Sequence, residues 1–137
     1  YHIDLVQLPL NVYDQRFVQS GLLRRLRQER IEVHTRSTFL QGLLLLSSDQ
    51  LPSHFGPIRE HHAQLHQQFE ALELTPLQGC LRFCLGQDDI DKVLVGCESV
   101  NQLADILKTA RNTASTQLLM SQFSLSDERF INPSLWS

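Results

Sequence analysis

Two pairs of side chains in this 137-residue chain have the spacing of metal or redox chemistry. His62 and His66 stand i, i+4, so a helix would put both imidazoles on one face, an arrangement that can chelate zinc. The local order is Glu60-His61-His62-Ala63-Gln64-Leu65-His66, without the His-Glu-x-x-His pattern of metalloproteases. His62 also falls on an apolar stripe. A polar helix carrying one half-buried histidine is therefore the favoured reading, and no metal is expected. Cys80 and Cys84 are i, i+4 as well, on an apolar stripe where a thiol behaves as a small hydrophobe. Cys97 opens a helix, where a thiolate is stabilised, but no histidine lies near it in sequence to act as a base. It is expected to be a small space-filling residue. No Gly-x-Gly-x-x-Gly, Walker or nucleophile-elbow pattern is present, so kinase, NTPase and hydrolase readings have no support.

The elements that would position these residues alternate. Ile3 to Leu8 is a short apolar run ended by Pro9 and reads as a strand. Phe17 to Gln28 places Val18, Leu22 and Leu26 on one helical face, with arginines opposite. Ile31 to Arg36 alternates apolar and polar and reads as a second strand, two residues after that helix. Ser37 to Phe55 reads as a long irregular connection. Pro57 suits the first turn of a helix whose buried face is Ile58, His62, Leu65, Phe69 and Leu72. Thr75 and Pro76 open the next helix, with Leu77, Cys80, Leu81, Cys84 and Leu85 inward and Gly86 as its stop. Lys92 to Val95 is a third strand. Ser99 to Gln102 fits a capping box before a helix that carries Leu103, Leu107 and Ala110. In the tail, Phe130, Ile131, Leu135 and Trp136 are expected to pack back. This order predicts parallel strands joined by right-handed crossovers. Three such strands cannot close a barrel, and leave two edges and one face poorly covered.

Bulk properties exclude several classes. Hydrophobic residues make up 42% and charged residues 20% of the chain, with a formal net charge of −3. That is an ordinary globular composition, and it shows no clustered basic patch of the kind nucleic-acid binding needs. No apolar run reaches the roughly 18 to 20 residues of a membrane span. The opening Tyr1-His2-Ile3-Asp4 has neither an initiator methionine nor the layout of a signal peptide. The expectations are a domain or piece of something longer, a cytoplasmic location, and no nucleic-acid or membrane partner. The three cysteines then suit a reducing compartment.

Three stretches, in order, resemble the aldo/keto reductases. Asp4-Leu5-Val6-Gln7-Leu8-Pro9-Leu10-Asn11-Val12-Tyr13-Asp14 is similar to the sixth-strand segment of that barrel. Ile31-Glu32-Val33-His34-Thr35-Arg36-Ser37-Thr38-Phe39-Leu40-Gln41-Gly42-Leu43-Leu44 is similar to the seventh strand and its loop. Leu81 to Leu85, followed by Val93-Leu94-Val95-Gly96-Cys97-Glu98-Ser99-Val100-Asn101-Gln102-Leu103, resembles the eighth strand and the following helix. The resemblance implies an α/β fold, a partial TIM barrel matching the C-terminal part of the family's (β/α)8 barrel. Residues 1–112 would be its last β/α units and residues 113–137 a tail packing on them.

The resemblance also implies an NAD(P)H-dependent carbonyl reductase in the complete molecule. Gln7 matches the glutamine on the nicotinamide carboxamide, and Arg36 the residue that covers one nicotinamide face. Ser37, Phe39, Gln41 and Gly42 match the pyrophosphate loop. Gly96, Cys97 and Gln102 match the adenosine-phosphate segment. The family's tyrosine, lysine, aspartate and histidine come from the first half of the barrel. Neither Tyr1 nor Tyr13 sits in the matching context, so the chain is expected to hold no catalytic set and to be inactive alone. Its partners would be the missing N-terminal half of the barrel or, for the isolated piece, another copy of itself. Three departures stand out. Thr38 replaces the usual proline. Glu98 would repel a 2′-phosphate. Asp105-Ile106 replaces a Glu-Asn pair that holds adenine. They favour NAD over NADP, weak binding or a lost cofactor. The alternative is a degenerate domain with a structural or interaction role and no catalysis.

Overall fold

The computed structural model describes residues 2–112 and 117–136. Tyr1, residues 113–116 and Ser137 lie outside the described residues. Three parallel strands form one sheet in the order β1 (Leu5–Pro9), β2 (Glu32–Arg36), β3 (Lys92–Val93). The register pairs Gln7 with His34 and Pro9 with Arg36, then His34 with Lys92 and Thr35 with Val93. Side chains alternate across a strand. Val6, Leu8, Val33, Thr35 and Val93 therefore share one face, and on it Val33 and Thr35 are fully buried. The opposite face carries Leu5, Gln7, Glu32, His34, Arg36 and Lys92. There Leu5, Gln7, Arg36 and Lys92 are exposed, as expected of a sheet covered on one side only.

Local chemistry explains most element boundaries. The expected helix over 17–28 is two helices, α1 (Arg16–Gln19) and α2 (Leu22–Gln28). Gly21 separates them at φ 74, a left-handed conformation that glycine adopts without a Cβ penalty. Leu23 is the buried residue of α2, while Leu22 and Leu26 are half-buried. β3 stops at Val93, two residues short of the expected strand. Asp91 sets its start by bonding both backbone groups of Val33. Its Oδ2 accepts from Val33 N–H at 2.8 Å and its own N–H donates to Val33 O at 2.9 Å.

Pro57 lies in a 3-10 turn, Ser53–Ile58, that leads into α3 (Arg59–Ala71). His62, Leu65 and Phe69 form the buried stripe of α3, and Leu72 just past its end is exposed. α4 (Pro76–Leu85) begins with a reciprocal capping box between Thr75 and Gln78. It packs so closely on α3 that a Cβ added at Gly79 would lie 2.3 Å from the Phe69 ring. α5 (Val100–Arg111) differs more from expectation. Ile106 and Thr109 face inward, while Leu103 and Leu107 are 42% and 46% exposed. In the tail, Met120, Phe123, Phe130 and Ile131 join the main apolar cluster, the last two from the short helix α6 (Glu128–Ile131), and Leu135 stays exposed. Among the described residues no helix is long and apolar enough to cross a membrane.

Candidate functional site

A cleft of about 700 Å³ lies at the C-terminal ends of β2 and β3 and at the start of α5. The strand ends, a loop and a helix terminus each contribute one wall. The loop wall begins where Asn11, fully buried just after β1, makes an Asx turn. Its Oδ1 accepts from the N–H groups of Tyr13 and Asp14 at 2.9 Å each, and its Nδ2 donates to Ser37 O at 3.1 Å. The loop then turns sharply. Ser37, Leu40, Gln41 and Gly42 take φ values of 66, 49, 56 and 84. Three of these residues carry a Cβ, each at a cost of about 1 kcal/mol or more, and such strain concentrates at functional loops. The helix wall is the N-terminus of α5. Ser99 Oγ accepts from Gln102 N–H at 3.1 Å. The Gln102 side chain does not close the expected box onto Ser99; it accepts from Glu98 N–H at 2.8 Å. The N–H groups of Val100 and Asn101 then have no helical carbonyl to bond, which favours negative charge at this end of the cleft.

Seven of the nine sequence-derived positions line this cleft: Ser37, Phe39, Gln41, Gly42, Gly96, Cys97 and Gln102. Gln7 and Arg36 do not. Gln7 lies on the open face of the sheet in one row with His34 and Lys92. Arg36 ends β2 on that same face, and its Nη1 donates to Ser37 Oγ at 3.2 Å. The sequence-derived positions leave out the apolar lining of Leu40, Leu45, Leu46, Leu94 and Val95. The Leu43–Leu46 run was visible in the sequence, but nothing in it distinguishes cleft wall from core. The size lies within the usual range for small-molecule sites, and apolar lining beside a few polar groups is their usual make-up. Gly42 and Gly96 have no atom within 4 Å of where a Cβ would stand, so both leave open space along the cleft. Near α5 the cleft combines the helix N-terminus with the exposed Glu98.

The other reactive-looking groups are occupied. His62 uses both ring nitrogens: Nδ1 lies 2.7 Å from Tyr13 Oη and Nε2 2.7 Å from Leu46 O. With Nε2–H donating to the carbonyl, Nδ1 accepts the phenol proton and no lone pair remains for a metal. His66 Nε2 lies 3.1 Å from Leu44 O. Among the described residues no group of three or more His, Cys, Asp or Glu is gathered closely enough to hold an ion. Burial first, and then Cys80, pushes the Tyr13 hydroxyl pKa far up, so it is a poor acid. Burial also raises both inner thiols, Cys84 to about 12. Cys80 and Cys84 are packing groups.

No protein-family model matches the chain, and no curated protein matches it by sequence. Solved structures do match. The chain superposes on an aldo-keto reductase of Bacillus halodurans in its apo form with a TM-score of 0.65 and 20% identity, covering 89% of this chain and 42% of that one. The holo form of the same enzyme gives 0.61 and 18%, covering 89% and 41%. The chain thus spans about two fifths of the length of the structures it matches. Three parallel strands in sequential order, with helices between them and a cleft at their carboxyl ends, make this chain's fold that of part of an aldo-keto reductase barrel.

Proposed function

We propose that this chain is the C-terminal, dinucleotide-binding part of an NAD(P)H-dependent aldo/keto reductase-type enzyme that reduces carbonyls to alcohols. The observation that carries the reading is the cleft, which brings together seven residues from two separate stretches of sequence at the strand ends and a helix N-terminus. When bound, a reduced nicotinamide would supply hydride for the carbonyl carbon. This chain's residues would hold and orient it. Gln7 would bond the carboxamide, and the Arg36 guanidinium plane would cover one ring face. Ser37, Phe39, Gln41 and Gly42 would wrap the pyrophosphate, and Gly96, Cys97 and Gln102 would take the adenosine-phosphate end. The proton would come from groups outside these residues, so the chain alone would be inactive. The same reading divides the chain into barrel units over 1–112 and a tail over 113–137. It supplies the rest of the barrel as the natural partner, and the cytoplasm as the setting.

Titration of the 137-residue chain with NADH and NADPH, followed by nicotinamide fluorescence, tests this. Binding of NADH in preference to NADPH is expected, because the exposed Glu98 carboxylate lines the cleft and opposes a 2′-phosphate. A second reading, a domain with a structural or interaction role and no catalysis, is favoured by one observation. Ile106, at a position where the family holds adenine, is 5% exposed and belongs to the core. Absence of binding by either nucleotide would favour that reading over the first.

A further inference from the structure

The loop wall of the cleft is held mostly by itself. Leu40 N–H donates to Ser37 O, Leu43 to Leu40, Leu44 to Phe39, Leu45 to Gly42 and Leu46 to Leu43, at 3.0 to 3.3 Å. Such local bonds define a shape but not where that shape stands relative to the strands. Buried Leu43 and Leu44 set the depth of the loop, yet apolar contact is non-directional. Directional anchors lie at both ends. Asn11 bonds Ser37 O at the start. At the finish, two histidines of α3 reach across, His62 to Leu46 O at 2.7 Å and His66 to Leu44 O at 3.1 Å, with their rings 4.5 Å apart. Tyr13, from the segment after β1, holds His62 from its other nitrogen.

We propose that His62 and His66 are positioning residues of the cleft: by fixing the carbonyls of Leu46 and Leu44 they hold the left-handed turn Leu40–Gly42 at the strand ends. The pair thereby acts on the same site as the cofactor reading, and on that reading it sets the shape of the pyrophosphate wall. The i, i+4 spacing that suggests metal binding serves instead to place two N–H donors against one loop.

Hydrogen exchange of the 137-residue chain tests this without any ligand. In His66→Ala, the amides of Leu43 to Leu46 should exchange on the order of tenfold faster, the size of one lost bond. Those of β2 and α4 should not change. His66→Gln, which returns an N–H donor at similar reach, should restore protection. Unchanged exchange at 43–46, a uniform rise over the whole molecule, or failure of glutamine to rescue would each overturn the proposal. Should His66→Ala not fold, His66→Asn, polar but too short to reach Leu44, takes its place. A parallel NADH titration separates the two readings. If the unaltered chain binds NADH, His66→Ala should weaken it by about tenfold with glutamine restoring it, and equal affinity would refute positioning. If the unaltered chain does not bind, the cofactor reading fails and the exchange pattern alone decides.

Discussion

A buried hydroxyl is costly unless something receives its proton, and at Tyr13 that receiver is His62. Tyr13→Phe keeps the ring and removes the donor, leaving His62 Nδ1 unpaired in the interior. A loss of about 1 to 3 kcal/mol is expected, measurable by urea denaturation. The burial of His62 carries a pH dependence. Burial first, and then the neighbouring His66 and His61, lower the His62 pKa against the raising effect of the Leu46 carbonyl. Neutral Tyr13 faces it from the loop, with the Cys80 thiol of α4 near Tyr13. The unfolded chain then takes up a proton near 6.5 that the folded chain resists. The contribution of His62 is complete above that pH and is lost as the pH falls below it. Denaturation midpoints at pH 7.5 and 5.5 should differ accordingly, and less in His62→Gln. In the cleft, Glu98→Arg should move the NADPH-to-NADH affinity ratio by roughly tenfold or more toward NADPH. An unchanged ratio would remove Glu98 from the specificity argument. His62 was legible as a stripe residue, though it is fully buried where the sequence suggested half-buried, and its partners were not legible, because Tyr13 lies 49 positions away.

Between elements, α3 and α4 approach closely at Gly79. The Phe69 ring fills the space above it and is itself fully buried, so it cannot swing away. Gly79→Ala should cost about 1 to 3 kcal/mol by overpacking, despite the better helix propensity of alanine. Thermal unfolding would show this, and a paired Phe69→Leu should recover part of it. The α4 start was readable because capping is local: Thr75, Pro76 and Gln78 are neighbours in sequence. The Gly21 break was also written in one residue, yet the apolar spacing on both sides ran through it and suggested one helix. The α5 stripe failed for another reason. Leu103 and Leu107 have helical spacing, but spacing identifies an apolar face without saying what covers it.

At the scale of the molecule, apolar side chains remain uncovered around both free edges of the sheet. Ile3 and Leu5 are 53% and 43% exposed at β1, while Leu94, Val100, Leu103 and Leu107 lie 40% to 82% exposed at β3 and α5. β1 and β3 each pair only with β2 among the described residues. Such edges invite pairing. The isolated 137-residue chain is therefore expected to associate with a second copy at micromolar concentration. Sedimentation velocity showing a folded monomer alone would rule this out.

By itself the sequence determined the alternation of strands and helices and the parallel sheet. Both follow from periodicity, turn residues and short motifs, which act over a few neighbouring positions. Only the tertiary structure decided that Ser37–Gly42 and Gly96–Gln102 share one cleft, that Gln7 and Arg36 lie on the open face beside it, and that His62 and His66 meet the carbonyls of Leu46 and Leu44. Those outcomes depend on which distant groups become neighbours once the apolar faces are buried, and that choice is made by the packing of the whole chain.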